Sequence, residues 1–129
     1  MNTCVPPSSP TLFREFKGVR QEPGLRRRWF ESDQMELIVW LQNDNRLTGF
    51  QIIYWLATEE RALTWLDGAG FRHSAIETGD DSPLKNLAPT LSAAGAIPWN
   101  YIRELFDVRR ASLDDAIQAL VLGRLAEAR

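Results

Sequence analysis

The rhythm of apolar and polar residues changes once, decisively, along this chain. Between Leu25 and Thr78 the apolar residues fall in short runs rich in β-branched and aromatic side chains, each closed by turn residues. That pattern predicts strands at Arg26–Glu31, Met35–Gln42, Leu47–Leu56, Arg61–Asp67 and Phe71–Glu77. The gaps are Ser32-Asp33, Asn43-Asp44-Asn45, Thr58-Glu59-Glu60 and Asp67-Gly68-Ala69-Gly70. They suit hairpins and are too short for the crossover that parallel strands need, so the expectation is an antiparallel meander. After Gly79 the rhythm breaks. Asp80 to Pro83 reads as a polar turn, and residues 84–97 as an ordered but mostly irregular crossing segment. Pro98 suits the first turn of a helix, where its missing N–H costs nothing. Trp99, Ile102, Leu105 and Phe106 then fall on one stripe, and Arg109 and Arg110 sit at the helix's negative end. Ser112-Leu113-Asp114-Asp115 resembles a capping box opening a second helix, with Leu113, Ile117, Leu120 and Val121 as its stripe.

Strands first and helices last predict an α+β fold, with about five strands and two C-terminal helices packed on one face. The Pro- and Ser-rich residues 1–10 read as a flexible lead-in to a single domain at residues 11–129. Thr11 to Phe16 is either a short edge strand or a segment lying along the body, and Gln21 to Gly24 is a turn.

The middle strands carry the most informative pattern. Leu37 to Leu41 and Ile52 to Leu56 are unbroken apolar runs, whereas an antiparallel strand with one wet face alternates. Both faces are therefore expected to be covered. The helices take one, and the crossing segment, a second subunit or a ligand takes the other. Which side chains share a face depends on register. A three-residue loop at Asn43–Asn45, with Asn45 left-handed, pairs Gln42 with Arg46 and puts Trp40 with Phe50, Ile52 and Tyr54. A two-residue turn at Asp44-Asn45 puts Trp40 with Gln51, Ile53 and Trp55. The longer loop is preferred, and the pattern alone leaves both open. Trp29, Trp40, Trp55, Trp65 and Trp99 serve as core and sheet cover, or as anchors for a partner. Trp40, Trp55, Trp65, Tyr54 and Gln51 are the candidate ligand-binding or interface residues. Leu122, Tyr101 and Val108 lie off the helix stripes and favour a second contact surface.

Charge narrows the function. Fifteen basic against 17 acidic residues give a net charge of -2, without the basic excess that tracks a phosphate backbone, so nucleic-acid binding is disfavoured. One cysteine, Cys4, excludes an intrachain disulfide and fits a reducing compartment. One Cys and one His cannot build a thiolate or imidazole zinc site. No signal peptide or apolar span of membrane length is read, so the expected location is cytoplasmic, with no membrane partner and no cofactor.

Three clusters are candidates for chemistry. His73 shares a strand side with Phe71, Ala75 and Glu77, and a carboxylate two residues away could orient a general base. With Lys85, these form the catalytic candidates His73, Glu77 and Lys85, although no motif places a nucleophile and a packed strand histidine is the plainer reading. Asp80 and Asp81 are metal candidates, with a solvated turn as the plainer reading. Arg26 and Arg28 are anion-binding candidates beside Trp29, with protection of a strand edge as the plainer role.

Arg27-Arg28-Trp29-Phe30, Leu37-Ile38-Val39-Trp40, Gly49-Phe50-Gln51, Ala62-Leu63-Thr64-Trp65 and Gly70-Phe71-Arg72-His73 together resemble small bacterial proteins with no assigned activity. The resemblance covers roughly residues 26–115 and supplies no catalytic residue. Where that group has a second histidine and an Asp-Asp-Gly run, this chain has Ser74 and Glu77-Thr78-Gly79. The functional expectation is a non-catalytic module that binds a small apolar ligand or a protein on a Trp-rich sheet, self-associating as a homodimer. The alternative is a small enzyme or metal-dependent protein using His73 with Glu77, Asp80 and Asp81.

Overall fold

The computed structural model describes residues 11–18, 25–76 and 96–128. Among these, six strands form one antiparallel meander in chain order: β1 (Arg14–Phe16), β2 (Leu25–Glu31), β3 (Met35–Gln42), β4 (Leu47–Leu56), β5 (Glu59–Leu66) and β6 (Gly70–Ile76). Two helices follow, α1 (Trp99–Asp107) and α2 (Asp115–Glu127), separated by a short 3-10 turn at Arg110–Ser112. The α+β expectation holds, with one strand more than predicted. The addition is β1, whose three residues pair with the far end of β2.

The helices cover one face. Phe30, Met35, Leu37, Val39, Leu41, Phe50, Ile52, Tyr54, Leu63 and Trp65 point toward Ile102, Phe106, Leu113, Ile117, Val121 and Leu125 and form one core. The predicted helix stripes bury much as expected, with Leu125 extending the second and Leu105 and Leu120 only partly buried. Of the off-stripe residues, Val108 is exposed, whereas Tyr101 and Leu122 pack against the core.

The segment before β1 straps the sheet to the helices. Thr11 donates to Asp33 through its backbone N–H and its hydroxyl, and the Phe13 N–H donates to the Arg109 carbonyl. Ser112 Oγ donates to the Phe13 carbonyl at 2.6 Å, so this hydroxyl holds the strap instead of capping a helix. The predicted capping box does not form. Asp114 occupies the cap position of α2 without a side-chain cap bond, and its carboxylate accepts from Arg28 of β2 at 2.6 Å. Arg109 fulfils its expected place after α1 and goes further: it is 4% exposed, and its Nη1 donates to the Leu105 carbonyl of that helix.

The β3–β4 hairpin shows how one residue can exchange two faces. The preferred loop is present: Gln42 N–H donates to Arg46 O, and Asn45 is left-handed at φ 68°. Yet Trp40 pairs with Gly49 while Leu41 pairs with Leu47, leaving Thr48 as an extra residue in β4. This bulge shifts the pairing of everything above it by one. Trp40 therefore shares a face with Gln51, Ile53 and Trp55, not with Phe50, Ile52 and Tyr54 as the loop alone implies.

Candidate functional site

The second face of the sheet is built from the residues that alternate with the core. Its rows follow from the pairing. Phe16, Trp29, Ile38, Gln51, Thr64 and Arg72 lie abreast in one row. Arg27, Trp40, Gly49 and Leu66 form the row on one side of it. Arg14, Glu31, Glu36, Ile53, Ala62 and Ser74 form the row on the other. Trp55 and Glu60 lie beyond that. Ile38 and Ala62 are buried, at 8% and 3% exposed, Trp29, Trp40, Ile53 and Trp55 are half-buried, and Phe16 and Leu66 are 48% and 44% exposed. None of these side chains belongs to the core cluster that the helices join, so among the described residues this face has no second layer.

Polar contacts brace it. Gln51 Nε2 donates to Thr64 Oγ1 at 2.9 Å across β4 and β5. Trp29 Nε1 donates to Glu36 Oε1 at 3.2 Å, and the Phe16 ring meets Trp29 edge-on at 6.4 Å. Partial burial raises the Glu36 pKa above the ordinary carboxylate value; Trp29 opposes the shift, and the nearby charges of Glu31 and Glu60 add to it. The folded state thus holds this proton more tightly than the unfolded chain. Its contribution to stability is complete below the ordinary carboxylate value and is lost as pH rises through the raised one. Glu36→Gln keeps an oxygen for Trp29 and removes the titration. We expect it to match the wild type in acid and exceed it at neutral pH. Urea midpoints across that range test this, and a less stable variant at neutral pH would sink it.

The structure brings Trp40, Trp55 and Gln51 together, adds Trp29, and separates them from Tyr54 and Trp65. The last two lie in the core, where Trp65 stacks on Phe50 at 5.8 Å. Thr48 is the cause of that separation from Trp40, and the need for it is not visible in the hydrophobic pattern. Trp29 was the member of this site that the candidate set lacked. Its signal was available, because an even-length turn in this hairpin, seen as Asp33-Gln34 closed by Ser32 N–H to Met35 O, sets Trp29 on the face of Glu36, Ile38 and Trp40.

The other candidates sit elsewhere. His73 lies on the helix side with Phe71 and Ala75, and its Nε2 is 2.6 Å from the Tyr54 hydroxyl. Burial pushes the Tyr54 phenol up to about 12, so it stays protonated at neutral pH. An ultraviolet titration is expected to show one of the two tyrosines ionising only near that pH; complete ionisation of both near the free phenol value would refute it. Glu77, Asp80, Asp81 and Lys85 lie outside the described residues, as do residues 1–10, most of the crossing segment and the Gln21–Gly24 turn. Among the described residues no group of acidic, His or Cys side chains could hold a metal ion. Arg28 is clasped by Glu15 through two bonds of 2.9 and 3.0 Å and by Asp114, and Arg26 donates to Asn45 Oδ1. Both guanidinium groups at the proposed anion site are thus engaged by the chain itself. A cleft of about 520 Å³ at the start of α1, lined by Ile97 to Tyr101 and Arg103, takes no wall from the Trp-lined face.

The fold and this surface define an α+β protein with a helical layer on one sheet face and, among the described residues, no second layer on the other, aromatic face. No protein-family model, curated protein or solved structure matches the chain. No described helix is long and apolar enough to cross a membrane.

Proposed function

We propose that this chain is a non-catalytic interaction module whose working surface is the second sheet face, carrying Trp29, Trp40 and Trp55. One observation supports this reading above others: a contiguous aromatic and aliphatic surface, braced by its own hydrogen bonds, without a covering layer among the described residues. Apolar patches of this kind, rimmed by charge, mark contact surfaces. Tryptophan is the residue that most often dominates such contacts. A protein partner fits better than a small apolar ligand, because ligand sites are concave and enclosing whereas this surface is the side of a sheet. The single cysteine is in keeping with work in a reducing, cytoplasmic setting. Hydroxyl-radical footprinting in dilute solution tests the reading. Trp29, Trp40 and Trp55 are expected to oxidise several-fold faster than Trp65. Equal protection of all four would overturn it.

A further inference from the structure

We draw no further inference here: the strongest candidate, the second sheet face with Trp29, Trp40 and Trp55, is the surface already described, and nothing in the structure shows what covers it.

Discussion

Phe106→Ala is expected to lower the melting temperature by about 10–20 °C. The ring is fully buried on α1 and sits 5.9 Å from the Phe13 ring in the strap that precedes β1. Removing it costs the transfer of an aromatic side chain from water together with the cavity left behind, about 3–5 kcal/mol in total. A chain of this length converts each kcal/mol into roughly 4 °C. The cavity cannot collapse easily, because Ile102 is held within α1 by its N–H bond to Pro98 O, and the strap is tied to the end of that helix by Phe13 N–H to Arg109 O. A shift of only a few degrees would mean that the helices float on the sheet, contrary to the packing described. Trp55→Ser on the opposite face is the internal contrast. It should leave the melting temperature of a dilute sample nearly unchanged, because no described second layer rests on that side chain.

Arg109→Met is the second large effect. The methionine retains much of the packed stem, so the loss reports on the guanidinium. Nε donates to Asp33 at 3.0 Å and Nη1 to the Leu105 carbonyl at 2.9 Å, both from a nearly fully buried side chain. Breaking such a pair costs about 3–5 kcal/mol when the remaining charge stays buried. Asp33 is exposed and regains water when the pair is broken, so a smaller loss of about 1.5–3 kcal/mol is expected, read as a lower urea midpoint. Arg109→Lys should recover little, because a point ammonium cannot serve both acceptors with the geometry of the planar fork. The pH dependence has a definite sign. Burial opposes ionisation of Asp33, but the hydrogen bonds from Arg109 and Thr11 outweigh it and hold its carboxyl below the usual value. A lowered carboxylate stabilises the fold above its unfolded pKa, and that contribution is lost as pH falls through the folded one. The gap between wild type and Arg109→Met should therefore narrow on acidification. A constant gap would show that the ion pair contributes nothing.

The strands and helices were legible because their signals are local. Turn residues and runs of β-branched and aromatic side chains placed β2 to β6 to within two residues, and the two apolar stripes placed both helices in their order and on their buried faces. β1 was legible only as an ambiguity, since three residues carry no period and its place comes from bonds to distant residues, Arg109 and Ser112 among them. The Ser112 motif misled for the same reason. A hydroxyl that can cap a helix can equally hold the strap, and only tertiary position decides. The site was half legible. The unbroken apolar runs predicted a covered second face, and the described residues of that face are apolar and half-buried or buried at Trp29, Ile38, Trp40, Ile53 and Trp55, with no described layer resting on them. Its membership turned on Thr48, whose side chain donates to the Trp40 carbonyl inside the bulge. Nothing in the apolar and polar pattern marks that residue as extra, and it moved Trp40 from the company of Tyr54 to that of Trp55.

The order of the strands has a consequence for how the molecule comes into being. Every strand pairs with its neighbour in the chain, so the whole sheet can zip together through short loops before either helix is needed. During synthesis the sheet precedes the helices, and in that interval both of its faces are bare and greasy. Docking of α1 and α2 is then the event that makes one face interior. A nascent chain that stalls before α1 would leave Leu37, Val39, Phe50, Ile52 and Leu63 without the helices that bury them, which makes this short window the point of greatest exposure to aggregation.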